Sequence, residues 1–131
     1  MCRLANVSKK DTIYDLGSGD GTALIVAAKE FGAKGVGIEI DPLRAFVSTL
    51  MIHIIRVTDR IKIKRKNFFD VTISEASVVF VYLVPKALER LKYKFKNELK
   101  KGTRIVSLKY EISYLPLVKK DNIIKLYLYK I

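Results

Sequence analysis

The chain has 131 residues, 50% of them hydrophobic, and its 25 Lys and Arg outnumber 13 Asp and Glu to give a formal net charge of +12. That is enough apolar material for one domain with a real core and too little for a second. The apolar runs are interrupted or too short to span a bilayer, no signal-peptide pattern opens the chain, and the lone Cys2 excludes an internal disulfide, so a reducing compartment, the cytoplasm, and no membrane partner are expected.

In chain order, Asp11 to Leu16 reads as a first apolar strand that runs into Asp15-Leu16-Gly17-Ser18-Gly19-Asp20-Gly21. Thr22 to Phe31 follows as a largely buried helix, stopped by Gly32. Gly35 to Ile40 is a second strand and contains the acid Glu39. Asp41 and Pro42, an N-cap and a first-turn proline, open a helix expected to reach about Arg56. Arg60 to Lys66 is a third strand in which Ile61 and Ile63 alternate with Lys62, Lys64 and Lys66, and Asn67 to Ser74 is a loop. Ala76 to Leu83 is a continuous β-branched and aromatic run, as a strand buried on both faces requires. Beyond Pro85, Leu88, Leu91, Phe95 and Leu99 recur at helical spacing until Gly102. Thr103 to Leu108 is a fifth strand. Two more, near Tyr110 to Leu115 and Ile123 to Tyr129, are joined by a polar turn at Lys119 to Asn122 with no helix between them, so they form a hairpin. Strand–helix alternation predicts an α/β fold: a Rossmann-like, mostly parallel seven-stranded sheet with helices on both faces and a C-terminal antiparallel hairpin.

The chemistry concentrates where strands end. Gly17 and Gly19 let the backbone turn sharply and approach a ligand. A pyrophosphate prefers a helix N-terminus free of acids, whereas Asp15 and Asp20 crowd this loop with negative charge and favour a cationic ligand. Glu39, ending the second strand, offers two oxygens to the hydroxyls of a ribose. Asn67, Phe68 and Phe69 follow the third strand, and Tyr82 follows the fourth. His53 sits in an apolar helix and reads as a packed residue; no Cys/His cluster exists, so no metal site is expected. The Lys62, Lys64 and Lys66 stripe suits an edge strand that must avoid pairing, with nucleic-acid contact as the alternative. The net charge favours an acidic or polyanionic partner.

The Asp-x-Gly-x-Gly-x-Gly spacing resembles motif I of class I S-adenosylmethionine (SAM) methyltransferases. Tyr14 to Gly21, Gly37-Ile38-Glu39-Ile40, Asn67-Phe68-Phe69-Asp70-Val71, Ile73-Ser74-Glu75-Ala76 and Glu98 to Ser107 look like small archaeal protein-lysine methyltransferases, which are similar in their SAM core to the non-SET histone lysine methyltransferases. The resemblance implies SAM as cofactor, with Asp15 towards its ammonium and Gly17, Ser18, Gly19, Asp20 and Gly21 as its cradle. It further implies Glu39 on the ribose, and Ile40, Asn67 and Phe68 around the adenine. Tyr82-Leu83-Val84-Pro85 then stands at the lip facing the methyl group, with Tyr82 as the candidate catalytic residue. This lip lacks the Asn/Asp-Pro-Pro-Tyr/Phe pattern that holds a base or glutamine amide, which leaves lysine amines of protein substrates, chromatin proteins among them, as acceptors. Thr22 stands where the archaeal group has Arg, the final hairpin is shorter, and the chain starts so close to the first strand that residues 1–131 read as one methyltransferase domain with its N-terminal helix truncated. An RNA or small-molecule methyltransferase, or a SAM- or nucleic-acid-binding module without catalysis, are the alternatives.

Overall fold

The computed structural model describes residues 1–131. Its elements are β1 (Thr12–Leu16), α1 (Thr22–Phe31), β2 (Lys34–Ile38), α2 (Pro42–Ile55), β3 (Ile61–Lys64), a 3-10 turn (Phe68–Asp70), β4 (Val78–Val81), α3 (Pro85–Arg90), α4 (Lys92–Glu98), β5 (Arg104–Leu108), β6 (Leu117–Asp121) and β7 (Leu126–Lys130). One seven-stranded sheet has the order β3-β2-β1-β4-β5-β7-β6. β1 to β5 run parallel, and β7 pairs antiparallel with both β5 and β6. The expected architecture is therefore present, with β3 at one edge.

β4 lies in the middle of the sheet with all four residues buried, which explains its unbroken apolar run. Two cores flank the sheet. On one face Leu24 and Ala27 of α1 and Ile52 of α2 pack on Ile13, Val78 and Val106. On the other, Leu88 of α3 and Phe95 of α4 pack on Leu16, Val79, Val81 and Ile105. The close seat of α1 depends on β2: a Cβ at Gly35 would come 2.7 Å from Leu24 Cδ2, a distance real side chains do not tolerate.

Residues before β1 are fastened by Asp11. Its carboxylate accepts the Ser8 N–H at 2.8 Å and the Ser77 hydroxyl at 2.7 Å, and pairs with the Arg104 guanidinium. Burial alone would raise its pKa, but these donors outweigh it and hold the carboxyl below the usual range.

Strands β2, β3 and β4 differ by one or two residues at their ends from the sequence reading, and three further features differ more. The helix from Pro85 breaks at Leu91 into α3 and α4. Tyr110 to Leu115 is a loop, not a strand: Ile112 is buried with its N–H donating to Tyr129 Oη at 2.8 Å, and the Tyr114 hydroxyl donates to the Leu88 carbonyl at 2.5 Å. These apolar residues are used under a loop rather than in a ladder. The first hairpin strand is instead β6, and the turn falls after Asp121, whose side chain accepts the N–H groups of Ile123 and Ile124.

Candidate active site

The carboxyl ends of β1, β2 and β4 meet at one place. β1 delivers Asp15 and the glycine loop. The loop is pinned to β2 because the N–H groups of Gly17 and Ser18 both donate to the Ile38 carbonyl, at 2.8 and 3.1 Å. Gly17, Gly19 and Gly21 all have positive φ, 79°, 58° and 81°. A Cβ at Gly19 would meet nothing within 4 Å, so the chain leaves open space above this residue. An L side chain there would be strained and would also occupy that space.

Glu39 is 6% exposed. Its Oε1 accepts the Gly19 N–H at 2.8 Å and its Oε2 accepts the Asp41 N–H at 3.0 Å. This acid therefore ties the glycine loop to the start of α2. That job is invisible in the sequence spacing. Each oxygen still carries a lone pair for a ligand hydroxyl. Asp41 then caps α2 through the N–H groups of Leu43 and Arg44.

The loop acids differ in state. Asp20 accepts the Thr22 hydroxyl at 2.7 Å and the Thr22 N–H at 3.1 Å, which hold its carboxyl below the usual range. Asp15 is 8% exposed. Burial first, then the negative charges of Glu39 and Asp20, push its carboxyl up to about 7. Ser18 Oγ is buried without a hydrogen-bond partner. An acid raised by burial and by like charges, an orphaned hydroxyl and an open glycine cradle all suit a cationic ligand rich in hydrogen-bonding groups.

The remaining sequence candidates surround this centre unevenly. Ile40 stands exposed just past β2. Asn67 and Phe68 lie beyond the end of β3, on the same edge as Ile38, which pairs with Lys64. Asn67 Oδ1 already accepts the Phe69 N–H at 3.0 Å, leaving its amide nitrogen for a ligand. Phe68 and Phe69 are half-buried with ring centroids 4.7 Å apart, and the Arg90 guanidinium covers Phe69 at 4.3 Å. Tyr82 is 57% exposed and follows Val81, the partner of Leu16, so it is the residue after β4 level with Gly17. Its neighbour on the same lip, Leu83, walls the loop, with its Cδ2 3.6 Å from where a Cβ at Gly17 would lie. Glu111 is exposed. A concavity of about 720 Å³ lies elsewhere, between residues 1–4, α1 and the hairpin, and none of the loop acids lines it.

Residues 15–119 match the ANTKMT methyltransferase domain family. The chain is 47% identical over 113 residues to a protein-lysine N-methyltransferase of Saccharolobus islandicus, covering 86% of this chain and 70% of the relative. It is 30% identical to the adenine nucleotide translocase lysine N-methyltransferase of Mus musculus over 76% of this chain, but spans only 44% of that relative. A crystal structure described as an RNA methyltransferase from Salinibacter ruber in complex with S-adenosyl-L-homocysteine superposes with a TM-score of 0.92 at 35% identity, covering 99% of this chain and 86% of that one. The chain belongs to the ANTKMT methyltransferase domain family; it is a SAM-dependent methyltransferase.

Proposed function

We propose that this family member methylates lysine side chains of proteins, at the edge formed by the glycine loop, Glu39 and Tyr82. The observation that carries the reading is the 47% identity to a relative named as a protein-lysine N-methyltransferase, most of whose length the chain spans. SAM supplies an electrophilic methyl on a sulfonium centre. Asp15, ionised, faces the methionine ammonium; Gly17, Ser18, Gly19, Asp20 and Gly21 cradle that end of the molecule. Glu39 accepts the ribose hydroxyls with the lone pairs left by Gly19 and Asp41. Ile40, Asn67 and Phe68 border the adenine. Tyr82, exposed beside Gly17, orients the incoming amine and excludes water from one side. Transfer to an amine needs a neutral nitrogen held in line, and no acid–base dyad is required. Asp15, Asp20, Glu39 and Asp41, gathered at this edge of a +12 chain, also draw a cationic lysine towards it. A cytoplasmic location agrees with the lone Cys2.

A second reading, methylation of RNA, is favoured by the name of the Salinibacter relative and by the net charge. Purified protein, labelled SAM and a cell extract separate the two. Label lost to protease and recovered as methyl-lysine after hydrolysis supports the first reading; label lost to nuclease alone overturns it.

A further inference from the structure

α2 is apolar on two opposite sides. One side, carrying Ala45, Ser48 and Ile52, is buried. Leu43, Phe46, Leu50 and Ile54 point the other way, with exposures of 70, 65, 48 and 63%. At about 100° per residue these four fall in one stripe centred opposite the buried side. Ile40, 63% exposed, extends it at the margin of the cofactor site. The polar side chains of α2 do not relieve this. Ser48 and Thr49 both donate to the Ala45 carbonyl, and His53 Nδ1 bonds the Thr49 carbonyl. A surface helix ordinarily carries polar residues on its outer side, and one that is apolar all round is ordinarily covered all round.

Charge around the stripe identifies the cover. Arg44, Arg56, Lys62, Lys64, Arg65 and Lys66, on α2, on the edge strand β3 and just after each, are exposed and make no salt bridge. Asp41 and Asp59 are the only exposed acids between residues 41 and 66. A second copy docked here would bring the same cations face to face in a protein already at +12. An anionic bilayer supplies both missing partners together: an apolar layer just below the headgroups for the stripe, and a negative surface for the flanking cations.

We infer that α2 and the β3 edge form a docking surface for an anionic lipid bilayer, with α2 in the headgroup plane and Phe46 and Leu50 inserted. Docking sets the Ile40 margin of the cofactor site against the membrane, so acceptors presented at a bilayer surface are within reach.

The test is co-sedimentation with vesicles of equal parts phosphatidylglycerol and phosphatidylcholine, against vesicles of phosphatidylcholine alone. The intact protein is expected to bind the anionic vesicles and to be released by high salt. The double variant Phe46→Ser/Leu50→Ser, which alters only exposed side chains, is expected to lose roughly ten-fold or more in partitioning. Lys62→Glu/Lys64→Glu is expected to weaken binding to the anionic vesicles alone. The chain has no tryptophan, so Phe46→Trp is a single reporter whose emission shifts to the blue on insertion. No binding to anionic vesicles, equal binding by the serine variant, or a tryptophan emission from Phe46→Trp that stays unshifted overturns the inference. So does a dimer in sedimentation velocity that the serine variant abolishes, which would make the second copy the cover.

Discussion

Asp15→Asn separates the stability of this fold from its ligand binding. Asp15 is buried, and burial together with Glu39 and Asp20 raises its carboxyl from 3.8 to about 7. Moving a carboxyl that far corresponds to about 4 kcal/mol between its two protonation states. The sign follows from linkage. Between the unfolded value and about 7 the native chain holds a proton that the unfolded chain has lost, so stability is highest below pH 4 on this account and falls as pH rises to about 7. Above pH 7 the wild-type protein carries the full penalty of a buried carboxylate beside like charges. Asparagine is nearly the same size and never ionises. Asp15→Asn is therefore expected to stabilise the ligand-free protein at pH 8 by up to about 4 kcal/mol, a rise in melting temperature of up to roughly 15 °C. At pH 5 the gap between the two proteins should be much smaller. Ligand binding moves the other way. A cationic ammonium needs the carboxylate, so wild-type affinity for SAM should rise as pH increases through about 7, with release of a proton, and Asp15→Asn should bind more weakly and lose that dependence. Differential scanning calorimetry across pH and titration calorimetry in two buffers of different ionisation enthalpy read both effects. A variant no more stable than wild type at pH 8, together with a wild-type SAM affinity flat from pH 6 to 8, would refute the reasoning.

Glu39→Gln retains one acceptor oxygen but turns an amide donor towards the Gly19 or Asp41 N–H, so it should cost about 1–3 kcal/mol of stability and a similar loss in SAM affinity, read by thermal melting and calorimetry. Gly19→Ala should lower stability by only about 1 kcal/mol, since nothing lies within 4 Å of the new methyl, yet weaken SAM binding far more; equal losses would mean the space above Gly19 is not the cofactor's. Asp11→Asn should cost about 1–3 kcal/mol at pH 7 by removing the partner of Arg104, read by chemical denaturation. Because the Asp11 carboxyl is held low, the wild type should lose that contribution only as pH falls below about 4, and the variant's acid limb should be flatter there.

Local patterns account for most of what could be read directly. β1, α1, β2 and α2 each carry their own start, period and stop: the glycine loop, the Gly32 terminator, the Asp41-Pro42 cap. The acidic, glycine-rich loop and Glu39 identify a cationic nucleotide-type ligand because the required conformations and charges belong to those residue types alone. Where pairing over long range decides, the reading failed. Tyr110 to Leu115 is apolar enough for a strand, but Tyr129 and Leu88, distant in sequence, take its hydrogen bonds and make it a buried loop.

The chain by itself therefore determined the fold class, the glycine loop and the acids placed around it, since these depend on backbone freedom, hydrophobic period and charge within short stretches. Tertiary structure alone decided that Glu39 braces the loop as well as facing the site, that Asp15 is buried among like charges, and that the second apolar side of α2 has no cover. Burial and the direction of a side chain depend on what the rest of the chain brings alongside, and no local pattern carries that.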